Sequence, residues 1–355
     1  MRPMRMLIAV LTLASCLQAQ DAKTAEQVYK NITELKGTPA DQLGPAMQFI
    51  SASLGVNCEF CHVQGKFEAD DKGAKKTARE MIAMQNMINK NSFRGRLQVT
   101  CNTCHRGSAR PVAVPPVIES DAMPQPMGGS MGAPPAGGAQ VTADQILEKY
   151  VSAMGGADAM KKVTSREMKG TITAMGNQSS IDVLTKAPNK RVTISHMGNS
   201  DSFTAFDGKE GWMGSTGRPA RTMSPAESAA ASIDAEFYLP LRLKEMFPQL
   251  RRGRPETING VECEVLNGSA PGMPGVRLYF AKNTGLLMRQ VRMADTPLGR
   301  NPTQIDYADY KSFDGVMTPL KWTLSRTNGR FTIQVNDVKI NAAIDDAKFA
   351  KPAAQ

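Results

Sequence analysis

The chain has 355 residues, with 43 Lys and Arg against 33 Asp and Glu, a formal net charge of +10, and only three His. The positive excess is spread out, with 13 basic and 9 acidic side chains over residues 20–110 and 28 and 24 over residues 111–355. No segment concentrates basic charge as a nucleic-acid surface would, so nucleic acid is excluded as a partner.

The N-terminus reads as an export signal. Arg2 and Arg5 precede an apolar run, Met6 to Ser15, that is too short to span a bilayer. Residues 1–19 read as the signal peptide, removed whole by cleavage after Ala19 in Leu17-Gln18-Ala19, or only as far as Ser15 by cleavage before Cys16. The second option arises because Leu13-Ala14-Ser15-Cys16 resembles a bacterial lipobox, which would lipidate Cys16 and anchor the protein to a membrane. Either route leads to the periplasm. No later stretch is apolar enough to cross a membrane as a helix, which predicts a soluble body.

Residues 20–110 read as helical. Val28, Ile32 and Leu35 share a face before a stop at Gly37. A second helix is expected from about Ala40 to Leu54, ended by Gly55, with Leu43, Met47, Ile50 and Leu54 on one stripe. A third is expected from about Lys75 to Asn89, with Ala78, Met81, Met84 or Gln85, and Ile88 facing inward.

Each of the last two helices precedes a Cys-x-x-Cys-His run: Cys58-Glu59-Phe60-Cys61-His62 and Cys101-Asn102-Thr103-Cys104-His105. This is the attachment pattern of haem c, in which two thiols bond to the porphyrin vinyls and the imidazole ligates iron. Two cysteines three apart share one face of a helical turn, and the next residue swings under the ring. A four-Cys zinc site or two disulfides would leave both histidines unexplained. Two covalent haem c groups are therefore expected, on Cys58, Cys61, Cys101 and Cys104, with His62 and His105 on the irons. Export agrees, since bacteria attach haem c outside the cytoplasm. No further His precedes His196, so a sixth ligand here would be a Met thioether. Met47 and Met81 are candidates, core packing being the alternative for each.

Residues 111–140 carry seven Pro and five Gly and only two charges, Glu119 and Asp121. They read as a linker of stiff and flexible pieces. Beyond it, Thr142 and Gln145 fit a capping box opening a helix that ends near Gly155-Gly156. The pattern then turns to period two around residues 171–173, 191–194, 276–280 and 331–335, with Asp207-Gly208, Asn259-Gly260, Asp314-Gly315 and Asn328-Gly329 as turns. Residues 224–247 interrupt the strands with an apolar helical insert, which would plug or cover a strongly curved antiparallel sheet. Cys263 falls on a strand with Val261 and Val265 and reads as a buried, inert thiol. His196 stands at a strand end with no acidic or Cys neighbour, so no catalytic role is assigned to it.

Two resemblances sharpen this. Leu54-Gly55-Val56-Asn57 running into Cys58, then Arg79-Glu80-Met81-Ile82-Ala83-Met84, Ile88-Asn89 and Val99-Thr100 running into Cys101 through Gly107, resemble the cytochrome c subunit of photosynthetic reaction centres. The resemblance implies that a Met on the preceding helix completes each iron. That makes Met47 the partner of His62 and Met81 the partner of His105, with Met84 as runner-up. It covers about a quarter of the chain. Reaction-centre members typically carry four haems where this chain has two motifs, and residues 82–100 contain no His. The C-terminal region weakly resembles LolA-like outer-membrane lipoprotein carriers, half-barrels that hold an acyl chain on a concave apolar face.

The expected fold is multidomain: an all-α dihaem cytochrome c domain (20–110), then an antiparallel β half-barrel-like domain with packed helices (141–355). The expected function is a periplasmic electron carrier serving redox protein partners, not an enzyme. The alternatives are a peroxidase-like haem enzyme, or a β domain binding a lipid or other hydrophobic ligand beside an electron-transfer module.

Overall fold

The computed structural model describes residues 23–111 and 141–351, apart from 175 and 199. The expected export signal, Cys16 and all of the expected linker but Pro111 lie outside the described residues.

The N-terminal region is helical: α1 (Ala25–Val28), α2 (Leu43–Leu54), α3 (Gly73–Phe93) and α4 (Cys101–His105). Helix α2 tolerates Pro45 in its first turn, where its missing N–H has no helical partner to lose, and ends at Gly55 with φ +66°. Helix α3 ends at Arg94, also left-handed at φ +56°. The expected helix through Val28, Ile32 and Leu35 does not form, because α1 stops at Val28 and Asn31 takes φ +60°. Tertiary bonds override the local pattern there: Asn31 Nδ2 donates to the Glu68 carbonyl at 2.5 Å, and Arg79 Nη2 donates to the Asn31 carbonyl at 3.2 Å.

The C-terminal region opens with α5 (Ala143–Ala153), capped reciprocally by Thr142 and Gln145 as expected, and α6 (Ala157–Lys162). One open antiparallel sheet of fourteen strands follows among the described residues. Its first half is β1 (Ser165–Ala174), β2 (Asn177–Lys186), β3 (Lys190–Met197), β4 (Ser200–Phe206), β5 (Gly211–Ser215) and β6 (Arg221–Thr222). Helices α7 (Pro225–Ala235) and α8 (Leu239–Met246) come next. The second half is β7 (Gln249–Arg252), β8 (Glu256–Ile258), β9 (Val261–Ser269), β10 (Gly275–Ala281), β11 (Leu287–Thr296), β12 (Gly299–Phe313), β13 (Val316–Arg326) and β14 (Gly329–Ile340). The spatial order is β6-β5-β4-β3-β2-β1-β14-β13-β12-β11-β10-β9-β7, with β8 pairing β9 off this path. The four expected strand segments and three of the four expected turns fall where the pattern put them; the fourth turn is Thr327-Asn328, one residue earlier, because Gly329 already opens β14 opposite Arg326. Asn259-Gly260 and Asp314-Gly315 have positive φ at both positions, as a tight hairpin turn requires.

This order explains the helical insert. Strands β6 and β7 sit at opposite edges of the sheet, so the chain between them must cross from one edge to the other, and α7 and α8 are that crossing. Beneath them lies a cavity of about 410 Å³ bordered by residues of eight consecutive strands, from β4 through β1 and β14 to β11. Laid flat, eight strands would span about 34 Å at ~4.8 Å spacing. So small a cavity can touch them all only if the sheet curls around it.

The two regions meet. Leu298, in the turn between β11 and β12, is fully buried with Leu35, Ala46, Phe49 and Ile82 of the helical region. Asn301 Nδ2 donates to the Pro45 carbonyl at 2.9 Å. Gly299 lies so close under the Phe49 ring that a Cβ there would collide with it.

Candidate functional site

The first Cys-x-x-Cys-His run forms a single tight turn after α2, opened by Asn57, whose side chain accepts from the Phe60 amide at 3.2 Å. Neither thiol is in a disulfide, and burial pushes the Cys61 thiol pKa up. His62 Nδ1 lies 2.9 Å from the Phe67 carbonyl. A carbonyl only accepts, so Nδ1 carries the proton and Nε2 is left with a free lone pair.

Lys75 holds this arrangement. Its side chain is buried, and Nζ donates to the carbonyls of Phe67, Glu68 and Ala69 at 2.9, 3.0 and 2.9 Å. Three donors meet three acceptors, and one of these is the oxygen that orients His62. Asp70 balances the charge at 3.1 Å, and its carboxyl is held far below the usual range by Arg79, then Asn31 and Lys75.

Met47, Cys58, Cys61 and His62 all line one cavity of about 560 Å³, closed on the far side by Ala78 and Ile82 of α3. Its apolar wall is uncovered: Val28, Tyr29 and Phe67 are 50%, 46% and 58% exposed.

The second run is α4 itself, capped by Thr100 and Thr103. His105 Nδ1 lies 2.9 Å from the Ser108 carbonyl, so it repeats the tautomer of His62. Cys101 Sγ donates to Gln85 Oε1 at 3.2 Å, and burial pushes this thiol's pKa up as well. Asn89 clamps the approach: Oδ1 accepts from the Gln98 and Val99 amides, each at 2.9 Å, and Nδ2 donates to the Val99 carbonyl at 2.7 Å.

The buried stripe of α3 is Lys75, Ile82, Gln85 and Asn89. Met81 and Met84 lie about 90° and 150° round from its centre at 100° per residue, and are 36% and 41% exposed. The expected inward stripe is thus displaced by about a quarter turn, because polar side chains bonded to the loop occupy the packed face. Met81 is one turn from Gln85, the side chain that touches Cys101; Met84 points further away. The two runs are neighbours, since Gly107 N donates to the Ser53 carbonyl at 2.8 Å and Gly55 sits against the Gly107 backbone too closely for any Cβ.

Three residues of this site escaped the sequence reading. Asn31 and Lys75 show in the sequence only as polar positions inside or beside apolar stripes, and Asn89 only as part of the Ile88-Asn89 match, with no role attached. His196 is corrected: Asp201, its partner across β3 and β4, lies 2.9 Å from Nδ1, and Asp182 of β2 lies 3.4 Å from Nε2. Cross-strand pairing supplies acidic neighbours that local sequence does not show. Cys263 is fully buried, as expected.

Paired Cys-x-x-Cys-His turns, each with an imidazole tethered through Nδ1 to a backbone carbonyl, are the layout of c-type cytochromes. The chain matches the photosynthetic reaction centre cytochrome C subunit family over residues 9–278 and belongs to that family. It is 31% identical over 91 residues to the photosynthetic reaction center cytochrome c subunit of Thermochromatium tepidum, covering 24% of this chain and 22% of that protein's length. Among solved structures, a DUF1329 family protein from Desulfovibrio piger covers 59% of this chain and 98% of its own, at 13% identity and a TM-score of 0.44. A LolA superfamily protein from Nitrosomonas europaea covers 60% and 99%, at 15% identity and 0.41. Among the described residues, no helix is long and apolar enough to cross a membrane.

Proposed function

We propose that the protein is a periplasmic dihaem c-type cytochrome that passes single electrons between redox protein partners. The observation that carries this reading is the shared cavity of Met47, Cys58, Cys61 and His62, with an uncovered apolar wall of a kind that a porphyrin would cover. The free thiols and the free Nε2 lone pairs at both runs suit the same group. When bound, haem supplies an iron that exchanges one electron.

The chain's own residues do the rest. Cys58 and Cys61 would tether the first group, and His62 and Met47 would hold its iron. Cys101 and Cys104 would tether the second, with His105 and Met81, because Met81 stands on the side of α3 nearer Cys101 and Met84 does not. Thioether ligation raises the reduction potential relative to a second imidazole. Lys75 withdraws electron density from the Phe67 carbonyl, which weakens its pull on the His62 proton and would make His62 a less electron-rich ligand to a bound iron. No substrate is transformed, and the role is that of an electron carrier.

The test is expression of the full chain in a host that matures c-type cytochromes. Intact mass should show two haem additions, and replacing Cys101 and Cys104 by Ala should leave one. Met47→Ala should keep both groups attached but turn one iron high-spin and lower its potential. Carbon monoxide binding to the reduced wild-type protein would reveal an open iron and support the peroxidase-like reading instead.

A further inference from the structure

The cavity under α7 and α8 holds charge that its surroundings do not neutralise. Arg166 on β1 is directly opposite Thr185 on β2, and Thr185 is directly opposite Arg191 on β3. All three side chains line the cavity. Opposed residues on one sheet face have Cβ atoms about 5 Å apart, so two guanidinium stems stand about 10 Å apart with a hydroxyl midway. Thr185 is 6% exposed, and neither its hydroxyl nor Arg166 Nε has a hydrogen-bond partner among the described residues.

Neither lining carboxylate reaches Arg166 or Arg191 in an ion pair. Asp234 pairs with Arg292 at 2.7 Å, and Glu236 faces Arg242 at 3.9 Å. What the two row arginines touch is mainly rings: Arg166 lies over Phe237 at 4.4 Å and Arg191 over Trp322 at 5.8 Å, with a 3.5 Å approach of Arg191 to the Asp234 backbone carbonyl. Burial pushes the Arg166 pKa down to about 10 and depresses Arg191 too. Two half-buried cations beside a buried, unsatisfied hydroxyl carry a desolvation cost that ring contacts offset only in part.

We propose that the Arg166–Thr185–Arg191 row is the head-group site of an anion-headed amphiphile whose apolar body fills the rest of the cavity. An anion above Thr185 would meet both guanidinium groups and accept from the hydroxyl. Below the row the same sheet face continues as Met168, Ile172, Ile181 and Ile333, a surface for a hydrocarbon chain, with the small hydroxyls of Thr193 and Ser195 beside it on β3. The volume of about 410 Å³ lies in the range of small-molecule sites and suits one slim chain. This site is independent of the haem reading.

The test uses the full-length protein and the fluorescent fatty acid cis-parinaric acid, compared with its methyl ester. Displacement by dodecanoate, dodecyl phosphate and dodecanol, all below their micellar concentrations, separates head group from chain. The anions should compete at least about tenfold better than dodecanol, as charge-assisted hydrogen bonds of ~1.5–3 kcal/mol require. Arg166→Met and Arg191→Met should each erase most of that preference while leaving dodecanol unchanged. A better fit for dodecyl phosphate assigns a phospholipid-type head, and a better fit for dodecanoate a fatty acid. Equal competition by dodecanol, or no displaceable binding, overturns the proposal. The comparison of heads on the wild-type protein decides the matter even where a variant does not fold.

Discussion

Leu298→Ala is the perturbation that most directly probes how the two regions are joined. Leu298 is fully buried, and its neighbours Leu35, Ala46, Phe49 and Ile82 all come from the helical region, more than 200 residues earlier. Its turn is rigid: the Thr296 hydroxyl donates to the Gly299 carbonyl at 2.7 Å and accepts from the Leu298 and Gly299 amides at 3.3 and 3.1 Å. A turn held that way cannot collapse into the space a smaller side chain leaves. Truncation should therefore cost near the middle of the range for buried leucine, about 3 kcal/mol. For a helical region of roughly 90 residues that corresponds to a melting point lowered by about 12–24 °C. Calorimetry on the full chain should show the helical transition moving down while the sheet transition stays, since no sheet core is touched. Gly299→Ala should act in the same direction, because its new methyl would collide with the Phe49 ring. A shift of the helical transition below about 2 °C for both variants would refute the reasoning, for then the hairpin tip carries no docking energy.

Other outcomes follow from named contacts. Lys75→Met should destabilise the helical region by about 2 kcal/mol in chemical denaturation, because three carbonyls lose one ammonium. Asn89→Leu should do likewise and loosen the approach to Cys101, read as faster amide exchange at Gln98 and Val99. His196 has its pKa raised, first by Asp201 and then by Asp182, so its contribution is complete below the unfolded value of about 6.5 and fades as pH rises through the folded value. Asp201→Asn should flatten the loss of stability that sets in as pH rises above the unfolded value of about 6.5. Cys263 is fully buried and burial raises its pKa, so a thiol reagent should label it only on unfolding.

Residues with local rules were legible from sequence. Gly55, the Thr142–Gln145 capping box and the Asn259-Gly260 and Asp314-Gly315 turns each act within four or five positions, and each sits where its rule places it. The same holds for the backbone of the two Cys-x-x-Cys-His runs, each of which closes a helical turn within five residues. What failed depends on distant partners. Asn31 breaks the expected first helix because Glu68 and Arg79 hold it, and the packed face of α3 is chosen by Gln85 and Asn89 binding a loop. Leu298 was invisible for the same reason: a lone leucine in a polar turn carries no period, and only the assembled helical region shows what it fills.

Helix α2 is where these constraints converge, and its two adjacent stripes explain why. Ala46, Phe49 and Ser53 form the buried stripe, which receives Leu298 and, through the Ser53 carbonyl, the Gly107 amide that follows the second Cys-x-x-Cys-His run. Met47 and Ile50, one position further on, form the wall of the cavity that holds the first run. Stripes offset by one residue differ by about 100° on a helix, so α2 cannot rotate to improve one set of contacts without degrading the other. Packed interiors respond to such a conflict by keeping one discrete arrangement rather than sliding between many. The sheet's hairpin tip, the second motif and the first cavity therefore share a single rigid wall twelve residues long. That sharing is the physical reason the two Cys-x-x-Cys-His runs and a curled sheet occur here as one packed unit.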